Sequence, residues 1–146
     1  MTKDYSLPCP AIDLMPHRPP MLLINRLLAR DREKDTGIAE GVIPEAGFFY
    51  DPENGFLPEY FIELVAQSAA AINGYDALVD GKPQMKGFLV GVDDFVMEGS
   101  AQPGETVQIH LIKKLEFGAV TIMEGRVAGA RGEICHGNVR AWEEGK

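Results

Sequence analysis

The sequence predicts an α+β fold in which one curved antiparallel sheet wraps a single long helix. Three observations predict it. Residues 58–74 (PEYFIELVAQSAAAING) are apolar on almost every side, a hairpin-like pair of segments precedes them, and four strand-like segments follow. One helix cannot cover six separate strands, but one curved sheet can enclose one helix.

The helix comes first, because the rest is arranged around it. Tyr60, Phe61, Ile62, Leu64, Val65, Ala66 and Ile72 leave no broad solvent face, the pattern of a helix in the middle of a domain. Pro58 suits the first turn, where its missing N–H would be an orphan anyway. Asn73-Gly74 offers a stop, with residues 75–78 able to add another turn. The run Ala69-Ala70-Ala71 removes bulk and lets a sheet approach closely. Glu59, Glu63 and Gln67 fall at i, i+4 and i+8, on one line. Glu59 sits in the first turn, where the helix dipole favours it. Glu63, flanked by Ile62 and Leu64, must lie at a cleft or be paired.

Ahead of the helix, residues 1–10 read as a loose arm, since Pro8 and Pro10 resist regular structure. Residues 11–15 make a short helical turn that ends before Pro16, and His17 to Pro20 are extended or turn-like. Residues 21–29 (MLLINRLLA) fit strand or helix by pattern alone. A charged turn follows, then the alternating residues 38–43, so the pair is read as a hairpin. Residues 44–57 are loop. After the helix and the turn Asp80-Gly81-Lys82-Pro83, strands are expected at 85–97, 106–113, 120–127 and 133–142. The last three have the turn spacing of an antiparallel meander. Gly87 and Gly91 mark a bulge or a close backbone approach in the first of the four.

Length and composition bound the function. The 146 residues suit one domain spanning 1–146 with a real core. A net charge of −8 argues against nucleic-acid binding, which needs a clustered basic surface. No run is long enough to span a membrane, and the start lacks the apolar core of a signal peptide. Cys9 and Cys135 are far apart and carry no ligand spacing. A cytoplasmic location is expected. Three scattered histidines offer no converging metal ligands, so neither a metal nor another cofactor is expected.

Three motifs then carry a resemblance. Residues 14–26 (LMPHRPPMLLINR) resemble the opening motif of the β-hydroxyacyl-(acyl carrier protein) dehydratases of type II fatty-acid synthesis. The helix segment IELVAQSAA is similar to their central helix, in which Glu is followed four residues later by Gln. Residues 88–93 (FLVGVD) and the turn Pro103-Gly104-Glu105 resemble their third strand and the turn after it. The resemblance implies a hot-dog fold. It also implies a dimer, with acyl-thioester sites at the subunit interface and either acyl carrier protein or CoA as the carrier.

In that family a loop His removes a C2 proton and the helix carboxyl protonates the leaving 3-hydroxyl. Glu63 matches the carboxyl. Residues 48–57 (FFYDPENGFL) contain no His, and Pro58 stands where the family places a Gly whose N–H holds the thioester carbonyl. The amide of Glu59 is the nearest substitute for that donor. Dehydratase-like proteins of aryl-polyene pigment clusters are similar in this loop.

The expected catalytic residue is therefore Glu63, with His17 as the next choice of base. The resemblance places Gln67, Pro58, Glu59, Phe49, Phe88 and Gly91 at the substrate. Docking an acidic carrier protein would need a basic patch, for which Arg30, Arg32, Lys82 and Lys86 are the candidates. Phe48, Phe49, Tyr50 and Phe56 give the loop more aromatic surface than solvent normally meets, which fits an interface.

Three functions follow. The chain is a 3-hydroxyacyl dehydratase with a substitute base, or a non-catalytic acyl-binding partner in a heteromer with an active dehydratase. The third possibility is a hot-dog thioesterase in which Glu63 activates water.

Overall fold

A computed structural model describes residues 6–45, 47, 49–84 and 87–144. The chain runs β1 (Cys9–Pro10), a 3-10 turn (Ala11–Asp13), β2 (Arg26–Asp31), β3 (Thr36–Val42), β4 (Tyr50–Asp51), β5 (Gly55–Phe56), α1 (Pro58–Val79), β6 (Gly87–Met97), β7 (Thr106–Phe117), β8 (Val120–Gly129) and β9 (Gly132–Glu143). Seven strands form one antiparallel sheet in the order β1-β2-β3-β7-β8-β9-β6. This is the α+β hot-dog arrangement, with six long strands around one helix.

The helix is central because its side chains are apolar all round. Tyr60, Phe61, Leu64, Val65 and Ile72 are fully buried against Ile109, Leu111, Met123, Val127 and Val139 of the sheet. Burial pushes the Tyr60 phenol up to about 12. Of the alanine run, Ala69 and Ala71 are buried in this core.

Two boundaries differ from the expectation. The helix passes Gly74 and ends at Val79. Gly74 is there for contact, since a Cβ at that position would stand 1.8 Å from the backbone oxygen of Leu14. At the other end, the presumed loose arm is tied down at Cys9 and Pro10. They pair with Leu27 and Arg26, and Cys9 is buried. The strand expected at 21–29 begins only at Arg26 and continues to Asp31.

The loop before the helix is not irregular throughout. Tyr50 pairs with Phe56 and Asp51 with Gly55 in a small hairpin, and Asp51 Oδ1 accepts the Glu53 N–H at 3.0 Å. The Phe49 and Phe56 rings each pack on Tyr60, at 5.8 and 5.1 Å between ring centroids. Phe49, Tyr50 and Phe56 are therefore half-buried against the chain itself; Phe48 lies outside the described residues.

The expected basic patch is not assembled either. The Arg30 side chain is only 4% exposed and pairs with Asp76 at 2.7 Å and Asp35 at 2.9 Å. Arg32 pairs with Asp80 at 2.8 Å. Both guanidiniums tie the β2–β3 turn to the C-terminal end of α1, which leaves Lys82 exposed; Lys86 lies outside the described residues.

Candidate functional site

Glu63 lies half-buried on α1, on the wall of a cleft of about 150 Å³ between the helix and strands β6 and β9. The helical period sets its neighbours. Ala66, Gln67, Ala70 and Asn73 share its face and line the same cleft. Leu89, Val139 and Ala141 supply the opposite, apolar wall. Alanine at 66 and 70 is what keeps this space open.

Gln67 is 1% exposed and its carboxamide is fully engaged. Its Nε2 donates to the Met21 carbonyl at 2.8 Å and to Glu63 Oε1 at 3.0 Å. Its Oε1 accepts the Leu23 N–H at 2.8 Å. One side chain therefore fixes the segment entering β2 and one oxygen of the carboxylate. No other hydrogen bond reaches Glu63 among the described residues, so its second oxygen is available to a ligand. Gln67→Leu should cost about 1–3 kcal/mol in urea unfolding, because it removes the partner of the part-buried Met21 carbonyl and Leu23 N–H. A loss below about 0.5 kcal/mol, the range of an ordinary surface change, would refute this role.

The other expected residues divide into two groups. His17 and Phe88 line the Glu63 cleft. His17 is half-buried, and its enclosed Nδ1 has no hydrogen-bond partner among the described residues. The Phe88 ring packs 5.8 Å from Trp142. Pro58 and Glu59 are exposed at the start of α1, one and two residues after the Leu57 cap, and do not line the cleft. Phe49 lines a separate apolar pocket of about 430 Å³ with Met21, Leu23, Phe56 and Tyr60. Gly91 sits at a bulge in β6, where the Arg140 guanidinium crosses it; a Cβ there would stand 2.3 Å from Nη2.

Two cleft residues were not expected from the sequence. Glu143 is 8% exposed and accepts a short hydrogen bond from Asn73 Nδ2. The alternation of β9 was the available signal, since Gly137, Val139 and Ala141 precede Glu143 at every second place. Elsewhere His136 meets Glu133 at 3.2 Å and Glu98 at 4.0 Å, which the scattered histidines did not suggest. Arg126 holds the other Glu133 oxygen at 2.6 Å, so this is an exposed ion-pair network.

Residues 9–145 match the model of the ApeP-like family, described as ApeP dehydratase. The chain belongs to the ApeP-like dehydratase family. Among curated relatives, a 3-hydroxyacyl-[acyl-carrier-protein] dehydratase FabZ of Bartonella bacilliformis is 35% identical over 108 residues, 70% of this chain and 69% of that one. The FabZ of Rickettsia typhi is 32% identical over 104 residues, 69% of this chain and 70% of its own. Among solved structures, the ApeI:P dehydratase heterocomplex of Xenorhabdus doucetiae superposes with a TM-score of 0.82 at 17% identity, covering 94% of this chain and 93% of that one. A Streptococcus mutans protein bound to acetyl CoA shares the fold with a TM-score of 0.63 at 11% identity, covering 90% and 97%. Within an ApeP-like chain, Glu63 and Gln67 thus stand on the central helix of a dehydratase-type hot-dog fold. No helix among the described residues is long and apolar enough to cross a membrane.

Proposed function

We propose that this chain is an acyl-thioester-handling subunit of a 3-hydroxyacyl dehydratase, contributing Glu63 as the acid to a site whose base comes from a partner chain. The observation that carries the reading is a carboxyl held by Gln67 at an apolar cleft, preceded by a loop with no imidazole. Dehydration needs two groups. A base takes the C2 proton, the C3–O bond breaks, and an acid gives its proton to the departing hydroxyl, releasing water and leaving a 2-enoyl thioester. Glu63 suits the second task. His17 borders the same cleft but lies in the opening motif and not in the pre-helix loop. The protein's likeness to one chain of a dehydratase heterocomplex supports an arrangement in which two unlike chains complete one site.

The test incubates the purified chain with 3-hydroxyacyl-pantetheine and acyl-CoA, reading enoyl product and free thiol separately. Alone it should be a poor dehydratase. A missing base costs about 10²–10⁴-fold, and a missing oxyanion donor about 10²–10³-fold more, although such losses rarely multiply. Adding a dehydratase chain that carries the loop His should restore enoyl formation. Rapid turnover by the chain alone would overturn the reading and make His17 the base. Release of free thiol without enoyl product would favour a thioesterase.

Assembly follows from the sheet. Among the described residues β6 bonds to β9 alone, which leaves its other edge open in the single chain, and an open edge is a template for pairing. Sedimentation at micromolar concentration should give the mass of a dimer or larger species. A mass of one chain would count against any site built from two subunits.

A further inference from the structure

We infer that Glu98, Glu133 and His136 form a binding site for a divalent transition-metal ion, zinc first among them, on the outer face of the sheet. The site lies apart from the Glu63 cleft and does not depend on the acyl-thioester reading.

The fold builds it from places that no ligand spacing in the sequence connects. His136 on β9 stands opposite Arg126 on β8 and Val96 on β6. Its neighbour Cys135 is buried, as is Val127 opposite Cys135, so alternation turns His136 to the outside. Glu133 precedes it by three residues, beyond the register shift between Val127 and Ala128. Glu98 follows Met97, the last residue of β6. The N–H groups of Glu98 and Gly99 both donate to the Ile134 carbonyl, at 2.8 and 2.9 Å, and hold Glu98 against β9.

The donor set is the second argument. His136 Nδ1 is 3.2 Å from Glu133 Oε2 and 4.0 Å from Glu98 Oε1, and the three ligand atoms all lie within 4.8 Å of one another. An imidazole carries at most one proton on Nδ1, so it can serve one of these carboxylates and not both. At 4.0 Å Glu98 is beyond hydrogen-bond reach, and its negative charge stands beside that of Glu133. A dication at the centre of the three relieves that repulsion. Arg126 holds the far oxygen of Glu133 at 2.6 Å and leaves Oε2 turned to the imidazole; ligating carboxylates are commonly held from behind in this way. The imidazole separates the group from a mere gathering of acids. One nitrogen with two carboxylate oxygens suits zinc and its neighbours, whereas calcium and magnesium take oxygen alone. With the proton on Nε2, the Nδ1 lone pair is free to bind. The exposed Glu98 side chain closes the remaining distance, and water completes the coordination.

A cation held there ties the end of β6 to β9. Among the described residues β6 is bonded on one side only, and two register shifts interrupt that pairing. The cross-link therefore braces the least supported end of the edge strand.

The full-length chain, stripped with a chelator, is titrated with zinc chloride at neutral pH by calorimetry, with the three histidine rings followed by NMR. One zinc should bind per chain, moving the His136 signals and leaving those of His17 and His110 in place. The melting temperature should rise with zinc concentration, as mass action requires of a ligand of the folded state. His136→Ala and Glu98→Gln should each weaken binding by about tenfold or more and remove that rise, while the metal-free melting temperature hardly moves. His110→Ala should change nothing. Absence of saturable binding overturns the inference, as does binding that survives His136→Ala or that equimolar magnesium displaces. Acyl-pantetheine binding is measured with and without zinc as a separate readout, so a failure of either site is seen independently of the other.

Discussion

Glu63→Gln is expected to lower dehydration by the proposed two-chain complex by about 10²–10⁴-fold, the usual worth of a positioned acid. The change is nearly isosteric. The new amide still offers an oxygen to Gln67 Nε2, so the clamp on Met21 and Leu23 survives and the melting temperature should hardly move. What disappears is the proton that would go to the leaving hydroxyl. The measurement is enoyl formation by the variant mixed with a base-supplying dehydratase chain, compared with the wild type in the same mixture. An unchanged rate would mean that this chain only supports its partner, and that the partner owns both catalytic groups.

Gly74→Ala should produce the largest loss of stability. On helix propensity alone the substitution would add about 1 kcal/mol. Here the added methyl would stand 1.8 Å from the Leu14 oxygen and 2.8 Å from the Leu14 carbonyl carbon, both backbone atoms. Side chains can rotate out of such a contact, but two packed backbones must separate. We expect a loss of about 3 kcal/mol, the upper range for overpacking, which lowers Tm by roughly 6–12 °C in a chain of this size. A rise in Tm would show that the 3-10 turn yields freely, and that the contact between Leu14 and α1 does not hold the opening motif in place.

Gly74 also shows where sequence reading stopped. Its local chemistry reads as a helix end, and only the return of residues 11–14 across the helix reveals a contact. The single buried helix and the meander were legible because their signals are periodic and lie within a few residues. Glu63 was legible as a charge misplaced in an apolar run. The partners of Gln67 lie 44 and 46 residues upstream, and Asp76 lies 46 residues from Arg30, so no local pattern ties them together. Arg30 and Arg32 look like solvated cations until the fold brings aspartates to them. Glu143 is different. Its inward place on β9 was readable from alternation, but residues near a strand end are commonly taken for solvent-facing, and its proximity to Asn73 comes only from the sheet wrapping the helix.

The open edge of β6 has a consequence for how this protein is produced. Residues 87–92 (GFLVGV) carry no charge and no proline, and Phe88, Leu89 and Val90 are exposed. Natural edges are usually guarded by lysine, proline or a cover, and here the first charge is Asp93. If the chain works with a companion, as proposed above, a copy synthesised alone presents this stretch to any other extended chain, including another nascent copy. On that reading, co-expression with the proposed companion should do more for the yield of well-behaved material than a lower temperature or a solubility tag.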